Sequence, residues 1–346
     1  MTAEVLTSHP ILSLINDLLD VPAPSGREAD LATLVRRRLI GWGYEPETDP
    51  AGNVLVRLPG PGPKLCVASH LDEIGLVVTN VEKDGTLRVH RSGGLYPWKL
   101  GEGPLEILGD QRSVSGVLSM GSTHRRDADQ QRVGWDDVRV LTGLSVHQLD
   151  EAGVRPGSPA VPTRERRGPL LFGDPADPLV GAWTFDDRAG MAMLLYFLQQ
   201  LAEGGTRVRQ QTIIAFTVRE EEGGHGAKLL CQREEPALFI AVDGCPMPPG
   251  VPLTLDGRPG IWSKDRLAHY DQQVLIELMA AAEAAGTALQ PVVYESAASD
   301  ASLVFAAGAA PRVACFGHVR ANSHGYEVAR LAVFDHVLAT LRHYLT

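Results

Sequence analysis

A chain of 346 residues, 44% hydrophobic and 21% charged, can bury a sizeable core, and at roughly 100–200 residues per domain it should make about two domains. A formal net charge of −10, with no block of five like charges, speaks against nucleic acid as the main partner, and no apolar stretch nears the ~20 residues of a membrane span. Four scattered cysteines without a CxxC pair, and an acidic amphipathic start with no basic leader, fit a reduced, cytoplasmic setting.

The chain opens with helical apolar spacing in "ILSLINDLLD", which Pro22 and Pro24 end. A second helix is expected to start at Ser25, with Glu28 completing a capping box, and to run through "DLATLVRRRLIGWG". Two strand-like runs follow, "NVLVRL" and "KLCVASH". From about residue 76 to 170 short β-like runs ("GLVVTNV", "TLRVHR", "PLEIL", "SVSGVLS", "VRVLTG") alternate with Gly, Pro and Asp, and Asp84–Gly85 carries a hairpin signal. The basic stretch "TRERRG" at 163–168 reads as a solvated loop.

Beyond residue 178 apolar strands ("TIIAFTV", "LFIAVDG", "VVYES", "RVACFGH") alternate with helices ("AGMAMLLYFLQQLAEG", "YDQQVLIELMAAAEAAG", "LAVFDHVLATLRHYL"). That alternation predicts an α/β fold, a mostly parallel sheet with helices on both faces. Residues 1–75 and 171–346 would form this domain, and 76–170 a small all-β insertion.

In such sheets ligands sit beyond the carboxyl ends of the strands. After "KLCVAS" come His70 and Asp72. After "TIIAFTVR" come Glu220, Glu221 and Glu222, after "LFIAV" comes Asp243, and after "RVACFG" come His318 and then His324. Asp186 and Asp187 stand between the β-rich stretch and the next helix. Carboxylates converging on one edge would raise one another's pKa sharply unless a cation neutralised them. A mixed His/carboxylate set suits Zn²⁺, Co²⁺ or Mn²⁺ better than Mg²⁺ or a thiolate-seeking metal.

"SHLDEIGL", "FDDRAG", "TVREEEGGHGA", "AVDG" and "NSHGYE" occur in the order of the M42 metallo-aminopeptidases, which the chain resembles over nearly its whole length. "SGG" at 92–94, "LSVHQLDEAGVRPGS" and "ASDA" add to the likeness. M42 belongs to a clan of two-metal exopeptidases with M28 and M20. The resemblance implies one metal held by His70 and Asp243, a second by Glu221 and His324, and Asp186 bridging them. It implies Glu220 as general base and Asp72 as the acid that orients the ligand histidine. Arg219 stands where the family usually has Gln, and Glu222 where it has an apolar residue.

The resemblance implies removal of N-terminal residues from short peptides by a homo-oligomer, a dimer at least and a hollow dodecamer in the family's fullest form. The insertion would supply the contacts, with Leu95, Tyr96 and Trp98 as exposed candidates. An M20-like deacylase or dipeptidase and a metal-binding, non-catalytic scaffold are the alternatives. Glu73, Asp187 and Arg188 read as structural. His90, His124, His147, His225, His269 and His318 read as ordinary polar residues.

Overall fold

The computed structural model describes residues 9–124 and 133–346. The first eight residues of the acidic N-terminal segment lie outside the described residues. Helix Pro10–Leu19 buries Ile11, Leu12, Leu14, Ile15, Leu18 and Leu19 on one side, the i, i+3, i+4 pattern of an amphipathic helix. It packs on the long helix Phe185–Gly204, which lies against strand Leu65–His70.

The main sheet has eight strands, in the order Glu47–Thr48, Val54–Leu58, Thr212–Thr217, Leu65–His70, Leu238–Val242, Val313–Gly317, Gly260–Lys264, Gln290–Val293. Its centre is parallel: Thr212–Thr217, Leu65–His70, Leu238–Val242 and Val313–Gly317 run side by side in one direction. Each of these four is buried along its whole length, as strands covered on both faces must be. Antiparallel pairings flank this centre, so the sheet is mixed.

A second sheet, absent from the sequence expectation, joins Leu170–Phe172, Leu179–Trp183, Tyr326–Arg330, Val319–Ala321 and Cys245–Pro246. Its strands of two to five residues are too short to show a period.

Residues 75–162 contain a closed six-stranded barrel with a core of its own, including Leu76, Val89, Leu105, Leu118 and Val140. Strand Pro159–Pro162 closes it by pairing with both Gly75–Val81 and Gly103–Leu108. Its two prolines hide it from a sequence reading. The segment also carries the helical turns Pro97–Leu100 and Val146–Glu151, so it is not purely β. Leu95, expected at the surface, is fully buried in the barrel core, whereas Tyr96 and Trp98 are exposed.

Two further expectations fail for physical reasons. Ser25 does not cap a helix; its hydroxyl donates to Asp72 at 2.6 Å, and helix Ala29–Gly41 begins beyond Glu28. Glu28 instead accepts from the backbone N–H groups of Gly26 and Arg219. Arg167 of the basic stretch is buried, donating to the carbonyls of Pro162 and Leu19 and lying 3.4 Å from Glu73. Glu73 also pairs with buried Arg188 at 3.1 Å, so two guanidiniums share one carboxylate where the N-terminal helix meets the barrel.

At the far end of the sheet Arg57 donates to both oxygens of Glu234 at 2.8 and 2.9 Å, and Lys64 adds a contact at 3.1 Å. These bonds, Arg57 foremost, hold the Glu234 carboxyl at about 2, below its ordinary 4.5. The stabilisation is therefore complete above the unfolded value and lost as pH falls toward 2. Arg57 is half exposed, which limits the effect to about 1–2 kcal/mol. Glu234→Gln is expected to lower urea stability by that amount at pH 7 and to match the wild type near pH 2. An equal loss at both pH values would place the effect in packing instead.

Candidate metal centre

The carboxyl ends of the parallel strands deliver the side chains. His70 is the last residue of Leu65–His70, Asp243 follows Leu238–Val242 directly, and Glu220 and Glu221 lie just past Thr212–Thr217. The second sheet supplies the rest. Asp186 follows Leu179–Trp183, and His324 sits in the turn joining Val319–Ala321 to Tyr326–Arg330.

These six residues fall into three overlapping donor groups, each with ligand atoms within 4.8 Å of one another. One is His70, Asp186 and Asp243, another is Asp186, Glu221 and His324, and the third is His70, Glu220 and Glu221. The first two share Asp186 alone. His70 Nε2 lies 2.9 Å from Asp186 Oδ1, while His324 Nε2 lies 3.5 Å from Asp186 Oδ2 and 3.8 Å from Glu221 Oε1. Glu222, the third successive acid, is exposed and accepts from Ser92 Oγ, pointing away from the cluster.

Both imidazoles are oriented by carbonyls. His70 Nδ1 faces the Asp72 carbonyl at 3.0 Å, and His324 Nδ1 faces the Gly94 carbonyl at 3.0 Å. A carbonyl only accepts, so each Nδ1 carries a proton. Against burial, the facing carboxylates raise both imidazoles, Asp186 lifting His70 well above its ordinary value and Glu221 and Asp186 lifting His324 to about 10. A bound cation would displace the second proton and take the Nε2 lone pair. Gly94 has to be glycine, because a Cβ there would stand 2.5 Å from His324 Nδ1.

Asp72, fully buried, ties the two halves of the site together. It lies 3.5 Å from His70 Nδ1, and its oxygens accept from the backbone N–H groups of Glu220 at 2.9 Å and Glu221 at 3.2 Å. Backbone strain gathers here as well. Of the five non-glycine residues with positive φ among those described, Thr184, Arg219, Asn322 and His324 belong to or flank the donor turns, each costing roughly 1–3 kcal/mol.

Three residues without an expected role complete the centre. Arg320 is buried; its guanidinium bonds Asp186 and lies 3.0 Å from Glu327. Glu327 accepts from the backbone N–H groups of Asp186 and His324, each at 3.0 Å, fixing both donor turns. Asp300 accepts from Thr217 Oγ1 at 2.6 Å, beneath the turn that carries Glu220. A lone cation in the apolar run before "NSHGYE" was the available signal for Arg320. Asp187 takes the part expected of it, accepting from Ser69 Oγ and from Gly190 N at the start of its helix. His318 is packed against Phe185 and Phe334, its pKa pushed down to about 3 by burial, and belongs to no donor group. His124 is exposed and contacts Ser122.

Electrostatically the cluster calls for a cation. Burial first, and the charge of Asp186 next, push Asp243 up to about 7. Burial likewise lifts Glu221 to about 7 against the pull of His324, and raises Glu220 well above the carboxylate range. Asp186 goes the other way, because Arg320 and the two imidazoles outweigh its burial. Glu221 Oε1 is buried with no hydrogen-bond donor. Four carboxylates and two imidazoles, with an orphaned oxygen and a single guanidinium for balance, fit divalent cations bound by N and O donors.

This is a mixed α/β fold that gathers candidate donors for divalent cations at its strand ends. The model of the family described as M42 glutamyl aminopeptidase matches residues 52–339, and the chain belongs to that family. Lysyl aminopeptidase of Pyrococcus furiosus is 30% identical over 66% of this chain and 65% of its own length. Glutamyl aminopeptidase of Lactococcus lactis subsp. cremoris is 29% identical over 67% and 66%. The chain thus spans just under two thirds of each relative. The Pyrococcus horikoshii TET1 peptidase, described as assembling into a tetrahedron or a large octahedral shell, shares the fold at TM-score 0.84, with 22% identity over 96% of this chain and 98% of that one.

Proposed function

We propose that the protein is a dinuclear metal-dependent aminopeptidase acting on short peptides. The reading rests chiefly on two donor groups that share Asp186 alone, with Glu220 beside them. His70 and Asp243 would hold one cation, Glu221 and His324 the other, and Asp186 would serve both. Bound Zn²⁺, Co²⁺ or Mn²⁺ would supply Lewis acidity and lower the pKa of a water toward neutrality.

The chain's own residues do the rest. Glu220 takes the proton from the attacking water and passes it to the leaving amine, for which its raised pKa suits it. Asp72 holds the Glu220 and Glu221 backbone and the His70 ring in register. The N-terminal amine of a peptide would sit at this centre, beside Glu220. The centre opens into a cavity of about 760 Å³, roomy enough for a few residues.

Exhaustive chelation is expected to abolish hydrolysis of aminoacyl chromogenic substrates, and Zn²⁺, Co²⁺ or Mn²⁺ to restore it. Full activity in metal-free protein would sink the dinuclear reading.

The same reading makes the protein a homo-oligomer joined through its barrel. Tyr96 and Trp98 are 51% and 68% exposed, and the barrel residues Val117 and Leu141, paired with each other across two strands, are each 47% exposed. Apolar surface of this kind marks a contact. Light scattering at micromolar concentration should report at least a dimer. An active 37.2 kDa monomer would contradict it.

A further inference from the structure

We propose that Lys99 is a specificity-determining residue that binds the C-terminal carboxylate of the shortest peptides, an inference that rests on the aminopeptidase reading of the centre. Lys99 belongs to the barrel, in the single helical turn Pro97–Leu100, five residues after the glycine whose carbonyl orients His324. It lines the same cavity as Asp186, Glu220, Glu221, Asp243 and His324.

Its ammonium group is uncommitted. Among the described residues Nζ makes no hydrogen bond and no ion pair; the Trp98 ring lies 5.7 Å away, and the Glu327 carboxylate acts on it only at longer range. It stands 3.6 Å from where a Cβ on Gly325 would be, one residue beyond His324. A half-buried ammonium without an acceptor pays a desolvation penalty that a ligand anion would offset.

Direction selects which anion. The cluster is closed at His70, whose side chain is 2% exposed, and open at His324, whose side chain is 32% exposed. A peptide with its N-terminus at the centre runs outward from the scissile bond through the open side, into the cavity whose wall next to His324 and Gly325 carries Lys99. The first anion that a dipeptide or tripeptide presents on that path is its own C-terminal carboxylate. It lies within one or two residues of the scissile carbonyl, at roughly 3.3–3.6 Å per residue. Longer peptides carry their terminus beyond reach, so Lys99 would favour short ones.

The test uses the full chain loaded with metal, and matched substrates sharing an accepted N-terminal residue: a dipeptide, its C-terminal amide, and the same pair with an N-terminal Glu. Wild type should prefer the free acid over the amide by about tenfold in kcat/KM, mainly through KM. Lys99→Met should erase that preference and leave the amide's rate unchanged, and Lys99→Arg should retain most of it. Equal rates for acid and amide in the wild type would overturn the proposal. So would an equal loss on both in Lys99→Met, or a loss confined to N-terminal Glu substrates, which would assign Lys99 to the side chain before the scissile bond. Cleavage of none of these substrates by metal-loaded wild type would instead overturn the aminopeptidase reading, and this one with it.

Discussion

Glu220→Gln is expected to cut turnover by about 10²–10⁴-fold while both metals stay bound. The substitution keeps the shape of the side chain and removes its capacity to carry a proton. Glu221→Gln should behave differently, losing one metal along with activity. Glu221 belongs to two of the donor groups, and its Oε1 is a buried acceptor without a donor, whereas Glu220 belongs to one. Three successive acids invite a one-residue error, but Glu222 is bonded to Ser92 on the barrel and is spared that ambiguity. Metal content by mass spectrometry, read beside kcat, separates the roles. If Glu220→Gln lost a metal and Glu221→Gln kept both, the assignment would be reversed.

Much of this centre was legible because chemistry and topology coincide. The four parallel central strands are apolar runs buried from end to end, and such runs stand out in a sequence. A polar residue at the end of each was therefore conspicuous. Beyond the pairing of Asp72 with His70, which the family resemblance implied, the supporting contacts were not legible, because they depend on approaches between segments far apart in the chain. Asp72 reaches the Glu220 and Glu221 backbone across nearly 150 residues of sequence, and no local pattern encodes that contact.

The misreadings share one cause, a local signal overridden by tertiary partners. Ser25 and Glu28 have capping-box spacing, yet Asp72 and the Arg219 backbone take those side chains. Arg167 sits in a basic run that looks solvated, yet Glu73 and two carbonyls draw it into the interior. Leu95 neighbours exposed aromatics in sequence, but its own side chain turns into the barrel core. The barrel in turn is no bystander. It contributes no proposed ligand, yet Gly94 orients His324 and Ser92 holds Glu222 away from the cluster.

Asp186→Asn is expected to bring bound metal below one ion per chain and to abolish activity. Asp186 is the one residue common to the two donor groups that carry the proposed sites, so its charge serves both. An amide offers one acceptor oxygen and no negative charge where two cations need neutralising. The change also unpairs buried Arg320, leaving Glu327 as its remaining close anion, and breaking a buried ion pair can cost several kcal/mol. Loss of metal and loss of fold must therefore be told apart. Circular dichroism and urea melts in chelator supply the fold readout, and calorimetric titration with Zn²⁺ the binding readout. Asp187→Asn is the control: the Asp187 carboxylate accepts from Ser69 and Gly190 and belongs to no donor group, so that variant should bind two metals. A folded Asp186→Asn protein that still bound two metals tightly would show that the sites do not share this carboxylate.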